Sequence, residues 1–349
     1  MFHTVLNGKN FNQQYKEKKL VKLTNDLENH NGFQFQTGLN VDSIPFDPQG
    51  ECQAGGIYFC LLEKMSMWLD YACRPMVYVR WVTIPDDALI WVEKNKFKAD
   101  RMILSERHKI VDLEEWEDSV YCLESVKLNA HALQFVKEQT AELCLEAIKK
   151  DGEALQYVSE QTEELCWEAV KQDCGALEYV REQTEAMCLE AVRRHWWALE
   201  YVREQTEEVC LEAIKTDGQA LRFVKEQTEA LCLEAVRHNY RALIYVREQT
   251  EEVCLEAVRR NWWALEYVLE QTPELCLEAV RQNGLALEYV KEQTEELCLE
   301  AVKQNAHAFQ FVKKQTPELC LEADRQSDYV LQYVKEQTPE LCLCLGAVR

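Results

Sequence analysis

The sequence predicts an α+β N-terminal module followed by an all-α solenoid of 22-residue helix-turn-helix repeats. The first observation is a Gln-Thr pair, with a Cys four residues after the Thr, that recurs every 22 residues from Thr140 to Thr338 without an insertion. A fixed period of this length is typical of solenoids. The second observation is that the residues before the array lack this period. We therefore expect two domains, residues 1–110 and residues 111–349, with about ten repeats and an atypical C-terminal cap.

In the N-terminal module the pattern changes from one segment to the next. Residues 63–71 have the spacing of a short amphipathic helix, whereas residues 77–82 alternate at period two and predict a strand. Residues 88–92 and 101–104 predict further strands, and residues 53–56 predict a loop that enters another strand at Ile57. This mixture of elements predicts an α+β module.

Each repeat is predicted to begin with a capped helix. In the repeat that starts at Thr272, the Thr is a good N-cap and Pro273 suits the first helical position, where its missing N–H has no partner to lose. Four residues then fall on one face at helical spacing and predict a buried stripe. They are Leu275, Cys276, Ala279 and Val280.

A second short helix is predicted to follow in each repeat. Asn283-Gly284 predicts the end of the first helix, because both residues tolerate a left-handed conformation. Leu287 and Val290 then form part of the apolar side of the second helix, and both helices are expected to be about nine residues long. An aromatic residue such as Tyr289 recurs at one phase of the second helix. We expect it to pack between repeats, with an exposed binding stripe as the alternative.

Composition and charge exclude several classes of function. No apolar run is long enough to cross a membrane and no secretory leader opens the chain, so we expect a soluble protein in the cytoplasm. Eleven of the 16 Cys lie at one phase of the repeat, and we expect them to be reduced and buried rather than bound to zinc. Of the net charge of -22, the part up to Glu117 carries -3 and the array -19. Such a surface repels nucleic acid and anionic membrane and would attract a basic partner. The alternative is that the charge only keeps the long solenoid soluble.

The array varies most where the second helix begins. Six residues there differ from the small or polar residues of most other repeats, and their aromatic and Arg composition is typical of interface anchors. The alternative is that the rings only cover the ends of the short helices. The candidate binding residues are Trp196, Trp197, Tyr240, Arg241, Trp262 and Trp263.

Several short segments of the N-terminal module are recognisable. They are His30-Asn31-Gly32-Phe33-Gln34-Phe35, Gly38-Leu39-Asn40-Val41-Asp42, Pro45-Phe46, Gly55-Gly56-Ile57-Tyr58-Phe59, Ile84-Pro85-Asp86-Asp87-Ala88 and Lys96-Phe97-Lys98-Ala99-Asp100. They resemble the N-terminal module of repeat proteins from mimivirus-like giant viruses. In that family the module precedes ankyrin or short helical repeats, and the helical type includes a domain of unknown function that the present repeats resemble. The resemblance implies a viral repeat protein and assigns no chemistry to the module.

A second resemblance would imply an enzyme. ADP-ribosyltransferases of the polymerase type carry a His, a Gly-Leu, a Gly-Ile-Tyr-Phe segment and a later Tyr in an order that this sequence repeats. The matching residues here are His3, Gly38-Leu39, Gly56-Ile57-Tyr58-Phe59 and Tyr71. The sequence departs from that family because no Gly follows His3 and no catalytic Glu context is evident. Phosphate-binding, esterase and zinc-protease motifs are absent from the sequence as well.

These observations predict a non-enzymatic adaptor without cofactor or metal, which binds a protein partner through an acidic helical-repeat surface. If the protein is viral, the host cell cytoplasm is its expected location. The alternatives are an ADP-ribosyltransferase-like module whose substrate the solenoid selects, and a structural component of the virion.

Overall fold

An antiparallel sheet organises the first part of the chain. The computed structural model describes residues 4–30, 33–48, 54–71, 74–327 and 332–334. The chain divides into two units, Met1–Arg181 and Glu182–Arg349. The strands are β1 (Thr4–Asn7), β2 (Leu20–Thr24), β3 (Asn29–His30), β4 (Phe33–Gln34), β5 (Gly38–Val41), β6 (Ile57–Leu61), β7 (Asp70–Tyr71), β8 (Arg74–Pro75), β9 (Tyr78–Thr83), β10 (Leu89–Val92), β11 (Phe97–Ala99), β12 (Arg101–Leu104) and β13 (His108–Lys109).

The main sheet has the order β1-β10-β11-β6-β2-β9-β12-β5, with β13 beside β9. Helix α1 (Gly8–Gln14) follows β1 and buries Phe11 in the core. Phe11 meets Phe97 edge-on at 5.0 Å between ring centroids, and Phe59 lies 5.2 Å from Phe97. Aromatic rings from α1, β6 and β11 thus pack together in this core.

The strands expected at residues 77–82, 88–92 and 101–104 are confirmed as β9, β10 and β12, and the strand after the glycine loop is confirmed as β6. The helix expected at residues 63–71 is shorter and of another type, a 3-10 helix at Leu62–Trp68 followed by β7. Gly56 has a φ of 140°. A Cβ there would lie 2.8 Å from a side-chain carbon of Lys98, so the buried Lys98 requires glycine at this place.

Each repeat of the described array up to Phe311 consists of a ten-residue α-helix and a six-residue 3-10 helix. The α-helices are α2 (Ser119–Leu128), α3 (Ala141–Lys150) and α4 (Glu163–Gln172) in the first unit, and α5 (Glu185–Arg194), α6 (Glu207–Thr216), α7 (Glu229–His238), α8 (Glu251–Arg260), α9 (Pro273–Gln282), α10 (Glu295–Gln304) and α11 (Pro317–Gln326) in the second. The 3-10 helices are Ala130–Phe135, Gly152–Tyr157, Cys174–Tyr179, Trp196–Tyr201, Gly218–Phe223, Tyr240–Tyr245, Trp262–Tyr267, Gly284–Tyr289 and Ala306–Phe311. Two more, Ile110–Asp112 and Glu114–Glu117, precede α2.

The predicted caps and buried face are confirmed. The Thr272 side chain accepts a hydrogen bond from the Leu275 N–H at 3.3 Å, and Pro273 occupies the first turn of α9. Cys276 is only 4% exposed, and its neighbours on the same face are equally buried. The altered C-terminal unit, from Thr338 onward, lies outside the described residues.

Two features of the second helix differ from expectation. Asn283 is not left-handed: its φ of -155° is extended backbone, and its side chain accepts from the Leu285 N–H to cap the next helix. The following segment is a 3-10 helix of six residues rather than a helix of about nine. The physical reason is that Asn283 is both the C-cap of one helix and the N-cap of the next. Only six residues remain before the extended residue Val290, and short runs of this length favour i to i+3 bonding.

The Gln before each capping Thr joins successive repeats within each unit. The Gln249 amide donates to the carbonyl oxygens of Leu243 (3.2 Å) and Tyr267 (3.0 Å), and its oxygen accepts from the Leu269 N–H at 2.9 Å. Since Tyr267 and Leu269 belong to the next repeat, one side chain fastens two repeats. The sequence shows the recurring Gln but did not predict this role. Equivalent bonds to the next repeat are made by Gln139, Gln161, Gln183, Gln205, Gln227, Gln271, Gln293 and Gln315.

Candidate protein interface

The variable residues stand at the first two positions of three 3-10 helices in the second unit. Their backbone is held by the residue before them. The Asn261 side chain accepts from the Trp263 N–H at 2.9 Å, and Asn239 accepts from the Arg241 N–H at 3.1 Å. His195 makes no such cap; its ring stacks on Trp197 at 5.5 Å. We call the six candidates the aromatic row: Trp196, Trp197, Tyr240, Arg241, Trp262 and Trp263.

The first Trp of each Trp pair in the aromatic row packs on the following repeat. Trp196 lies 5.9 Å from Phe223, and Trp262 lies 6.2 Å from Tyr289, both between ring centroids. Each partner is the last residue of the next 3-10 helix, 27 residues further on. Trp196 and Trp262 are half-buried as a result. The recurring aromatic of the second helix therefore takes part in inter-repeat packing at these places, as expected, while its ring stays half-exposed.

The second position differs between the two Trp pairs. Trp263 stacks on Trp262 with ring centroids 5.1 Å apart, and its indole N–H donates to the Tyr289 hydroxyl at 2.7 Å. It is nevertheless 46% exposed. Trp197 instead turns back onto its own repeat, edge-on to Tyr201 at 6.2 Å, and is half-buried. Trp263 is thus both fixed in position and exposed, whereas Trp197 is half-buried by contacts within its own repeat.

The third pair adds a cation to the row. The Arg241 guanidinium is exposed and lies 5.9 Å from the centre of the Tyr240 ring. A hydrogen bond to Tyr240 raises the pKa of Arg241 further above its already high value. The pair therefore presents a permanent positive charge beside a half-buried phenol.

Three further residues of this unit have exposed side chains and were not predicted from the sequence. Arg222 lies over Phe223 (4.8 Å) and Tyr245 (5.8 Å), in a cation-π arrangement that spans two repeats. Ile244 and Leu269 are 53% and 67% exposed. The signal was present in the sequence, because Arg222 and Ile244 occupy a position that is Glu or Gln in the other repeats, and Leu269 one that is mostly Lys or Arg.

One residue of the enzyme alternative, Tyr58, lines a cleft in the N-terminal region. His30, Cys60, Trp68 and Lys96 line the same cleft. Burial raises the pKa of the Cys60 thiol to about 12, so it is protonated and unreactive at neutral pH. Burial, assisted by the charge of Lys22, lowers the pKa of His30. His3 lies outside the described residues and the side chain of Tyr71 is not described, so the roles that the ADP-ribosyltransferase resemblance implies for them stay predictions.

The cleft is rich in rings and cations. The Lys96 ammonium lies 4.7 Å from the centre of the Tyr58 ring and 5.2 Å from that of Trp68. Among the described residues, no three His, Cys, Asp or Glu side chains lie close enough together to hold a metal ion. In the same part of the chain, no helix has the length and apolar character needed to span a membrane.

The repeats are similar to a known family of domains. The profile of a domain of unknown function (DUF4116) matches residues 121–162, 140–185, 250–294 and 272–319, that is, repeats in both units. No solved structure matches.

Three similar proteins come from Acanthamoeba polyphaga mimivirus. An uncharacterized protein is 29% identical over 114 residues, which are 32% of this chain and 83% of the relative. Two putative ankyrin repeat proteins are 33% and 29% identical over 113 and 107 residues, covering 28% and 29% of this chain. The matches span only 36% and 51% of these two ankyrin relatives. The chain therefore combines a sheet-rich N-terminal region with helical repeats that match DUF4116, and it is similar to repeat proteins of a giant virus.

Proposed function

We propose that the protein is a non-enzymatic adaptor that recognises a protein partner through the aromatic row of its repeat array. One observation carries this proposal: Trp263 remains 46% exposed although a stack on Trp262 and a hydrogen bond to Tyr289 fix its position. A large ring held in place before binding loses little entropy on contact, and Trp is enriched among the residues that dominate interface energies.

The negative charge of the array favours a basic protein as the partner. The array carries -19, which repels nucleic acid backbone and attracts cationic surfaces at long range. Repeat proteins present extended surfaces of this kind to partners, and two relatives are named as ankyrin repeat proteins. We place residues 1–110 as a second recognition module, residues 111–349 as the solenoid, and the adaptor in the cytoplasm of an infected host cell.

The test is affinity capture from infected host cells with three baits. The wild-type protein should retain a basic host or viral protein that the double variant Trp262→Ala/Trp263→Ala loses. Trp167→Ala is the matched control, since Trp167 is also a half-buried Trp but lies on an α-helix outside the aromatic row. Equal capture by all three baits would contradict the proposal. Detection of the chain in purified virions would instead favour a structural role.

The enzyme alternative has its own test. Calorimetry with NAD should show no binding to the purified protein, and no ADP-ribose should be incorporated into it. Binding of NAD that disappears in Tyr58→Ala, with the fold intact, would make the N-terminal cleft a nucleotide site and overturn the non-enzymatic assignment.

A further inference from the structure

A basic side chain after each 3-10 helix reaches back to the preceding repeat. Lys291 donates from its ammonium to the carbonyl oxygens of Val268 (3.1 Å) and Leu269 (2.7 Å). These carbonyls follow the end of a 3-10 helix, where no further turn supplies donors. The same pair of bonds is made by Lys225, Arg247 and Lys313 in the second unit and by Arg181 in the first.

Leu269 interrupts this series. Leu269 occupies the position that Lys291 occupies one repeat later. A basic residue at position 269 would donate to the carbonyl oxygens of Val246 and Arg247, as Lys291 donates to those of Val268 and Leu269. An isobutyl group cannot donate a hydrogen bond, and in the described residues no other side chain donates to these two oxygens. Ser159 is a second interruption, because its hydroxyl is too short to reach back as a Lys does.

The surroundings of the two interruptions differ. Leu269 is 67% exposed, and Ile244, two residues before Val246, is 53% exposed. At Ser159 the corresponding residue is Gln134, which is exposed and polar. Of these two positions, it is therefore the Leu269 position that combines two carbonyl acceptors with exposed apolar side chains.

We propose that the carbonyl oxygens of Val246 and Arg247 bind a Lys or Arg side chain of the protein partner, and that an adjacent apolar residue of the partner packs on Leu269 and Ile244. The partner's cation would replace the one that the chain supplies in other repeats. Charge favours this occupant, since acidic residues flank the position at Glu248 and Glu270 and the array carries -19. The inference rests on the proposed function, because it names the chemistry by which the partner is recognised.

The test uses Leu269→Lys, which gives the site a cation from the chain itself. A phage-displayed library of 12-residue peptides is panned against the wild-type protein. The enriched peptides should carry Lys or Arg beside an apolar residue, and they should bind Leu269→Lys at least tenfold more weakly. Leu269→Lys should also melt at a higher temperature than the wild type. Leu269→Arg is the second variant, since Arg247 shows that Arg makes the same bonds.

Ser159→Lys is the matched control. It should raise the melting temperature in the same way and leave peptide binding unchanged. Enriched peptides without Lys or Arg, equal binding by Leu269→Lys, or no enrichment at all would overturn the inference. Peptides that bind Leu269→Lys normally but fail to bind Trp262→Ala/Trp263→Ala would overturn it while sustaining the proposed function. Peptides that are insensitive to both variants would count against both.

Discussion

The indole N–H of Trp263 donates a 2.7 Å hydrogen bond to the hydroxyl of Tyr289, so an exposed ring of one repeat is anchored on the next. Because Trp263 is anchored and yet exposed, its substitution should affect partner binding more than stability. Trp263→Ala should weaken partner binding more than tenfold, or about 1.4 kcal/mol. It should cost less stability than the roughly 3–5 kcal/mol of a fully buried Trp, because 46% of the side chain already faces solvent.

Trp197→Ala should behave in the opposite way, since Trp197 is half-buried against His195 and Tyr201. We expect a clear fall in melting temperature and a smaller effect on binding. Thermal denaturation and partner titration of both variants check the pair of expectations. A Trp263→Ala variant that loses stability but still binds its partner would mean that these rings only pack.

The half-buried glutamine of a central repeat should contribute to the stability of the array. Gln249→Ala would leave the carbonyl oxygens of Leu243 and Tyr267 and the N–H of Leu269 without their partner. An unsatisfied polar group costs about 1–3 kcal/mol where it is buried, and Leu243 is buried here whereas Leu269 is exposed. We therefore expect a loss of about 1–3 kcal/mol in the free energy of unfolding. Urea denaturation measures it. Gln156→Ala is the control, since the exposed Gln156 bonds only within its own repeat, and it should change stability by less than about 0.5 kcal/mol.

The cysteine series should be protected from alkylation in the native protein. Burial raises the pKa of Cys188, Cys254 and Cys298 to about 11 in each case, so little thiolate exists at neutral pH. Each side chain is at most 3% exposed. Iodoacetamide labelling followed by mass spectrometry should modify these three residues only after denaturation. Rapid labelling of most of them under native conditions would show that the repeats open readily or that the thiols have another function.

Acid should weaken the N-terminal region through Glu28. Burial alone would raise the pKa of this carboxylate, but hydrogen bonds and charge from Arg80 and Arg107 hold it below its usual value. The Arg80 Nε lies 2.8 Å from the Glu28 carboxylate. A lowered folded-state pKa stabilises the fold above the unfolded value of 4.5, and this contribution is lost as the pH falls through the folded-state pKa.

Glu28→Gln tests this assignment. At pH 7 the variant should be destabilised by about 3–5 kcal/mol, because Arg80 would be left as a buried charge without its counter-ion. The difference from the wild type should shrink below pH 4.5. Denaturant titrations at several pH values measure it. A difference that does not change with pH would place the effect of the substitution in packing rather than in ionisation.

The sequence by itself determined the repeat period, the Thr caps, the buried Leu-Cys-Ala-Val face and the strands after Ile57. These features depend on local periodicity and on caps within a few residues, which the order of residues records directly. It also indicated the aromatic row, because these six residues differ from the residues at the equivalent positions of most other repeats.

Only the tertiary structure decided what each recurring residue contacts. Gln249 owes its role to the carbonyl of Tyr267, and the two Trp pairs differ because Trp263 reaches Tyr289 whereas Trp197 turns back on Tyr201. The second helix became 3-10 because Asn283 serves two helices at once. The contacts of Gln249 with Tyr267 and of Trp263 with Tyr289 join residues 18 and 26 positions apart. Their geometry is set by how one repeat packs on the next, and a pattern of residue types along the chain does not contain that geometry.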